Sequence, residues 1–385
     1  MTPSAPLLLV SLFLALLLSP ASSQTPPEDL ISRNADFGAR LYRAVAARTD
    51  ENVLLCPFTL SAALTLMLTA ADGSTLEQLK GGLTLTGLDP QTLPGRFRCQ
   101  GSSVSTLQQG AAVFHDQSVR VSQSYLNLVQ TKFGGTVRGV AYTTASEAVH
   151  TINRWALEQT GDQVQSFVSE LDPQTQLLLA AATSYRGTYH LPPFNTSSTQ
   201  DERFYVDSYH VVMVPMMFRA DKYFLAYDAS VKAGVLKLPM TDRTAMLAVL
   251  PDEGVDVTAV EEEVTAEKIQ AWIRQLKKTK LEVQFPRFWL ERSYSLKDAL
   301  KTLDITQVFQ DNADLSNMSG SKGFKLTQVS VQRVSLDVNA SGFSSLLFSS
   351  PPPRLTFNRP FIFIIYHQST GSLLLMGRVN DPTRK

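Results

Sequence analysis

The spacing of apolar residues predicts helices in the first part of the chain. Apolar residues recur near helical spacing between Glu28 and Arg48 and again from Ser146 to Ser169. A period of three to four residues is typical of amphipathic helices. Between these segments, the stretch from Leu60 to Ala70 is almost wholly apolar and follows Pro57 and Thr59. Because Thr59 suits an N-cap, we predict a buried helix in this stretch.

The period changes in the last two thirds of the chain. Leu281, Val283 and Phe285 alternate with polar residues, which predicts a half-buried strand. The apolar runs Phe361–Tyr366 and Leu373–Met376 lie on either side of a Ser-Thr-Gly segment, which predicts a hairpin of buried strands. Helices that precede antiparallel strands indicate a mixed α+β fold.

The N-terminus has the features of a secretory signal. The segment Leu7–Leu18 is almost wholly apolar and is followed by the small residues Ala21–Ser23. A run of twelve residues is too short to cross a bilayer, so residues 1–23 are predicted to be a signal peptide. Residues 24–385 contain no linker, charge block, repeat or second long apolar stretch. We therefore expect a single secreted, extracellular domain and no membrane anchor.

Composition narrows the range of partners. The chain has 35 basic and 35 acidic residues, which argues against a nucleic-acid partner or strong attraction to membranes. The two cysteines, Cys56 and Cys99, are too few for a disulfide-rich scaffold. An apolar fraction of 44% over 385 residues instead allows a large hydrophobic core. We expect both cysteines to remain thiols and the protein to be a monomer.

Three segments match the acceptor pattern for N-linked glycans, and a signal peptide gives such matches weight. The acceptor residues are Asn195, Asn317 and Asn339. We therefore expect a glycoprotein, and the alternative that the site at Asn339 goes unused stays open.

Several short segments resemble, in family order, characteristic segments of the serpins, the serine protease inhibitor family. The resemblance extends from about residue 30 to the C-terminus, and the joint occurrence of the segments is much more specific than any one of them. The segments are Asn52–Leu60, Val214–Met217, Leu250–Gly254, Phe285–Phe288, Ala313–Ser316, Phe357–Phe361 and Gly377–Val379. Within the family, the chain is most similar to the plasma clade.

The resemblance implies both a fold and a mechanism. The fold would place helices around a large central β-sheet and two smaller sheets, with an exposed reactive-centre loop. A serine protease would cut this loop as a substrate, and the cut loop would insert into the main sheet as a new strand. Insertion has to outrun hydrolysis of the acyl-enzyme, so the loop needs a fast hinge and sufficient length.

The candidate loop departs from the family pattern at its hinge. Residues Val334–Gly342 resemble the strand that leads into the hinge, with Gly342 at the hinge glycine. The family prefers a small Thr or Ser next, but Phe343 follows here. The resemblance assigns the reactive-centre loop to Gly342, Phe343, Ser344, Ser345, Leu346, Leu347, Phe348, Ser349 and Ser350. The candidate scissile bond joins Ser349 to Ser350.

The length of the loop argues against trapping a protease. Seven residues, Phe343–Ser349, separate the hinge from this bond, and at ~3.3 Å per residue they reach about 23 Å. A fully inserted strand needs about 14 residues at the same rise. We therefore predict that suicide inhibition is weak or lost.

The resemblance also points to a cluster beneath the sheet that must open. The family keeps hydrogen-bonded Ser, Asn and His side chains there, where this chain has Cys56, Ala181 and Gln332, with Thr59 in place of a second serine. We expect these replacements to leave the fold intact, because exchanging a buried polar cluster for apolar residues can be neutral or stabilising.

A hydrolytic enzyme is the first alternative. The histidines are scattered, without a G-x-S-x-G or H-E-x-x-H segment and without metal-ligand spacing. They are His115, His150, His190, His210 and His367. Isolated histidines usually have structural roles, so we expect neither catalytic residues nor a metal or cofactor.

A non-inhibitory serpin that acts as a carrier or binding protein is the second alternative. Nothing in the sequence identifies its small ligand or plasma-protein partner. The basic run Arg274–Lys280 can contact heparin or another anionic polymer, although such runs are more often exposed helix ends.

Overall fold

The computed structural model describes residues 27–93, 95–97, 104–187, 199–338 and 352–384. The predicted signal peptide, Cys99, Asn195, Asn339 and the loop residues from Gly342 to Ser350 lie outside these ranges.

Helices and strands both run through the described chain, which confirms the mixed α+β class. The helices are α1 (Pro27–Ala46), α2 (Pro57–Ala70), α3 (Gly73–Gly82), α4 (Gln123–Leu128), α5 (Ala145–Gln159), α6 (Val257–Glu262), α7 (Ala266–Gln275), α8 (Lys297–Thr302) and α9 (Ser316–Ser319). The strands are β1 (Val53–Leu55), β2 (Leu107–Asp116), β3 (Thr136–Val140), β4 (Leu177–Tyr185), β5 (Gln200–Tyr205), β6 (Val211–Asp228), β7 (Ala233–Pro239), β8 (Thr244–Pro251), β9 (Lys277–Pro286), β10 (Phe288–Ser295), β11 (Gln328–Val338), β12 (Arg354–Thr356), β13 (Phe361–His367) and β14 (Leu373–Val379).

The buried helix predicted before Ala70 is confirmed, but its predicted N-cap is wrong. Helix α2 begins at Pro57, with Cys56 in the capping position. Proline favours the first helical position because it has a suitable φ and no N–H that would need a partner. Thr59 therefore lies inside the helix, where its hydroxyl is available for contacts with the neighbouring sheet.

Helix α5 is shorter than predicted. It ends at Gln159 instead of Ser169, because Gly161 and Asp162 both adopt left-handed backbone angles, with φ of 57° and 61°. The Thr160 hydroxyl accepts a hydrogen bond from Val164 N, which stabilises the turn that leaves the helix.

The described strands form two sheets. One has the order β10-β11-β4-β2-β3, and the other has the order β1-β14-β13-β8-β7-β6-β9-β12, with β5 also paired to β6. The two smaller sheets expected from the resemblance are continuous in this second sheet, because the 18-residue strand β6 takes part in both. The predicted strand around Val283 and the predicted C-terminal hairpin are confirmed as β9 and as β13 with β14.

The core packs on both faces of β4. Its alternate residues Leu177, Leu179 and Ala181 join the large core that includes α2. Leu178 and Ala180 face the opposite way, into a smaller cluster with α5. Because successive side chains of a strand point to opposite faces, a strand buried on both sides is uniformly apolar, as this one is until Thr183.

The contact between β14 and β1 generates a stability prediction. A Cβ added at Gly377 would lie 2.2 Å from Val53 O, whereas one added at Gly234 of β7 would meet no atom within 4 Å. We expect Gly377→Ala to lower the free energy of unfolding by about 1–3 kcal/mol through overpacking. Gly234→Ala is the matched control and should change it by less than about 0.5 kcal/mol. Thermal unfolding of both variants measures the difference, and equal midpoints would contradict the prediction.

Candidate functional site at the β4–β11 seam

The strand that leads into the candidate loop pairs directly with β4. Strands β11 and β4 are parallel neighbours in register from Gln328 opposite Leu178 to Leu336 opposite Tyr185, with one irregularity near Ser330. We call this hydrogen-bonded ladder the seam. The predicted strand before the hinge is confirmed up to Val338. A loop inserted between β4 and β11 would have to replace this ladder with two new ones.

A buried hydrogen-bond relay lies under the seam. The Thr183 hydroxyl, opposite Val334 in the seam, donates to Thr59 Oγ1 over 2.9 Å. Thr59 in turn donates to Gln109 Oε1 over 2.6 Å, and the Cys56 sulfur lies 3.1 Å from Thr59 Oγ1. A hydroxyl can donate one hydrogen bond and accept others. The side chain of Thr59 therefore connects α2 to both β2 and β4.

The relay corrects the expectation that this cluster became apolar. Cys56 and Thr59 do meet as predicted, and Ala181 is buried and pairs with Gln332 across the seam. The polar contacts are instead made by Thr183 and Gln109, which sequence reasoning missed. The sequence contained one signal for these contacts, namely Thr183, which is the first polar residue in the apolar strand β4.

Burial suppresses thiolate chemistry at Cys56. Its side chain is fully buried, and burial raises the pKa of the thiol despite the contact with Thr59. The thiolate is the reactive form of cysteine, so Cys56 acts here as a small packing residue.

A second side-chain contact holds the end of β4. The Thr244 hydroxyl at the start of β8 gives its hydrogen to Thr241 O over 2.6 Å. The Tyr185 hydroxyl, 2.7 Å away, therefore donates to Thr244 Oγ1. Burial raises the pKa of Tyr185 to about 12, so it remains a donor at physiological pH. Sequence reasoning also missed this connection between the two sheets.

The remaining predicted sites are dispersed. Asn317 lies exposed in α9, and its Nδ2 donates to Ala71 O over 2.9 Å. His115, His150, His210 and His367 each contact groups within four residues of themselves in sequence, and His190 lies outside the described residues. Within the described ranges, no three His, Cys, Asp or Glu side chains are grouped for a metal ion.

The basic run is divided between two elements. Arg274 and Gln275 end α7, and Lys277 begins β9. The described helices include none with both the length and the apolar composition needed to cross a bilayer.

Comparison with known proteins gives consistent matches along the chain. The family profile described as serpin (serine protease inhibitor) matches residues 32–382. The mouse and human proteins named protein Z-dependent protease inhibitor are each 31% identical over 372 residues, covering 92% of this chain and 83% of theirs. The crystal structure of the mouse protein has a TM-score of 0.87 and is covered over 98% of its length by 92% of this chain. Human thyroxine-binding globulin has a TM-score of 0.83 at 26% identity, with coverage of 92% and 99%.

The relay predicts an order of stability among single substitutions. Thr59→Val leaves both the Thr183 hydroxyl and Gln109 Oε1 without their partner, and each buried unsatisfied group costs about 1–3 kcal/mol. Thr183→Val removes only a terminal donor and should cost about 0.5–1.5 kcal/mol. Chemical denaturation should therefore rank Thr59→Val as the less stable variant. The double variant should be more stable than Thr59→Val alone, because it no longer contains the unsatisfied Thr183 hydroxyl. If Thr183→Val were the less stable single variant, the relay would be disproved.

Proposed function

The chain belongs to the serpin family, and we propose that it is a secreted glycoprotein that offers its loop to extracellular serine proteases without trapping them efficiently. The loop, Gly342–Ser350, would be cut at Ser349–Ser350 like an ordinary substrate. Inhibition would then be weak or lost, because the acyl-enzyme hydrolyses before the protease is distorted.

The observation that carries this proposal is the length of strand β11 relative to the loop. Strand β11 has 11 residues, which at ~3.3 Å per residue extend over about 36 Å. The seven residues Phe343–Ser349 reach about 23 Å at the same rise. An inserted strand would pair with only part of the opened seam, so less free energy would be available to displace the protease.

The beginning of the loop adds a steric obstacle. Phe343 would be the first side chain to enter between β4 and β11, and overpacking of this kind costs ~1–3 kcal/mol. A glycan on Asn339 would place a bulky hydrated group beside the same entry point. Both effects slow insertion relative to hydrolysis.

Opening the seam would also disturb the contacts that hold β4. Movement of this strand strains the bond from Thr183 to Thr59 below it and the bond from Tyr185 to Thr244 at its end. Each such hydrogen bond contributes about 0.5–1.5 kcal/mol net. These bonds connect β4 to the body of the protein and so favour the closed seam.

The alternative is a non-inhibitory serpin that binds a small ligand or a plasma protein. The names of the relatives support both readings, since protein Z-dependent protease inhibitor is named for inhibition and thyroxine-binding globulin for its ligand. Both proposals share a loop that does not need to insert.

Thermal unfolding before and after cleavage tests the length argument. Chymotrypsin should cut after Leu346, Leu347 or Phe348, and the melting temperature should then change by less than about 2 °C. A shift of that size corresponds to roughly 1 kcal/mol in a domain of moderate size. A large rise on cleavage would mean that the loop inserts and that inhibition is the leading function.

A pair of insertion variants provides the control. Seven alternating Thr and Ala residues placed after Phe343, which leave the hinge unchanged, should restore a rise in melting temperature on cleavage. A seven-residue insertion with alternate prolines has the same length but cannot form central ladder hydrogen bonds, so it should not. If both insertions leave the melting temperature unchanged, the hinge limits insertion instead of the length.

A specific observation also favours an anionic polymer as a partner. On one face of the second sheet, Phe224 of β6 lies directly opposite Lys278 of β9 and Lys237 of β7, and Lys222 lies opposite Lys280. Directly opposite residues share a face. The ammonium of Lys237 lies 5.8 Å from the centre of the half-exposed Phe224 ring, and burial lowers the pKa of Lys237.

This lysine face is a better candidate than the linear run Arg274–Lys280. Lys222 and Lys280 lie directly opposite each other, so their side chains lie on the same face as Lys278 and Lys237. Lys277 pairs with Leu225 and lies on the other side of its strand. The chain therefore offers neighbouring lysines with opposite orientations.

Heparin affinity distinguishes the two lysine positions. We expect Lys278→Ser to lower the salt concentration needed for elution from immobilised heparin more than Lys277→Ser, although both variants have the same net charge. The slope of log affinity against log salt should fall by roughly one for each lysine that contacts the polymer. Equal effects of the two substitutions would mean that only the overall charge matters.

A further inference from the structure

The β5–β6 hairpin exposes an unusual set of large apolar side chains. Tyr205 pairs with Val211, and Met213 follows on the same face of β6. Tyr209 in the connecting turn is 91% exposed, and Met213 is 57% exposed. In the described part of the chain, Phe224 and Tyr227 are the other large apolar residues with comparable exposure. Clustered exposed apolar residues typically mark interaction sites.

A pocket of about 580 Å³ lies at the base of this hairpin. Residues 205–208 of the hairpin line it together with residues 254–258, the segment that leads into α6. Tyr205 belongs to both features, so the apolar face and the pocket form one continuous surface. The volume lies in the range of sites that hold a small group or side chain.

The mouth of the pocket is acidic. Exposed carboxylates of Asp50, Asp207 and Asp256 line it. Hydrogen bonds from Tyr209 N and from the His210 ring to Asp207 hold the pKa of this carboxyl below its usual range. Asp256 accepts hydrogen bonds from Thr258 N and Oγ1. A cationic group is the complementary ligand for this mouth.

The cations in the lining do not cancel this acidity. Arg378 forms a 2.6 Å ion pair with Glu261 in the interior. Arg359 is half-buried and donates to Pro251 O and to Asn358 Oδ1. The Nε of Arg378, a side chain that is 1% exposed, has no hydrogen-bond partner among the described residues.

A polypeptide can supply the cationic and apolar groups that are complementary to this surface. A Lys or Arg side chain can pair with the carboxylates and lie over the Tyr205 ring. Apolar neighbours of that basic residue would cover Val211 and Met213, as in the apolar centre of protein interfaces. We propose that the β5–β6 hairpin and its pocket form a docking surface for a protein partner that inserts a Lys or Arg side chain flanked by apolar residues.

This docking surface lies beside the segment that follows the loop. Tyr205 N donates to Asn358 O over 2.8 Å, two residues beyond the end of β12. A docked partner would therefore lie beside Asn358, in the segment that follows the loop in the sequence. The proposal does not require the loop to insert, so it stands or falls separately from the proposed function.

Methionine methyl signals of the intact protein provide the test. Protein labelled with ¹³C at its methionine methyl groups is titrated with an acetylated, amidated pentapeptide Leu-Phe-Lys-Phe-Leu to millimolar concentration. The Met213 signal, assigned with Met213→Leu, should shift saturably, whereas that of buried Met246 should not. The same peptide with Glu at its centre should shift Met213 at least several-fold less. No saturable shift of Met213, or equal shifts with both peptides, would overturn the proposal.

Two matched variants separate the pocket from general surface charge. Asp256→Asn preserves the cap of α6, because Asn is also a good N-cap, but it removes one carboxylate from the mouth. It should weaken the Lys peptide several-fold. Asp89→Asn is the control, since Asp89 is likewise exposed and accepts from the backbone N–H two residues later. Equal weakening by both variants would also overturn the proposal.

Discussion

The parallel ladder between β4 and β11 is the constraint on which the rest of the structure depends. It joins the strand before the loop to a strand that is buried on both faces, with α2 on one side and α5 on the other. Any motion that opens the ladder must therefore disturb both hydrophobic clusters. The closed seam is therefore the shared boundary of the two hydrophobic clusters.

The hydrogen bonds around β4 stabilise the closed seam, which suits a sheet that does not need to open. Thr59 accepts a hydrogen bond from the Thr183 hydroxyl and donates one to Gln109, so each of these three side chains has a hydrogen-bond partner. A fully satisfied polar network fixes one arrangement of the surrounding elements. A protein that must open its sheet quickly would gain from weaker connections at this place. The short loop and the firm seam point in the same functional direction.

If the loop has lost most of its power to trap a protease, function shifts to the outer surfaces of the second sheet. These surfaces have opposite character at the two ends of β6. Near its start, the hairpin presents apolar side chains beside an acidic pocket. Towards its end, lysines from three strands gather around Phe224. One long strand thus carries two surfaces that differ in the charge of the partner they suit.

The sequence by itself determined the family, the α+β class and the main buried elements. Periodicity locates α1, α2, β9 and the C-terminal hairpin because these patterns depend on burial of one or both faces. The proposed loop length and hinge position also rest on the sequence alone, since both concern consecutive residues.

Only the tertiary structure decided which distant residues meet. Thr59, Gln109 and Thr183 are far apart in the sequence and form a relay because α2 lies beneath β2 and β4. The register of β6 with β7 and β9, which no local sequence pattern specifies, places lysines from three separate strands on one face of the sheet. The end of α5 was missed for a similar reason, because left-handed angles at Gly161 and Asp162 override the helical pattern that continues beyond them. Contacts across strands depend on register and crossing geometry, and a linear pattern of hydrophobic residues contains neither.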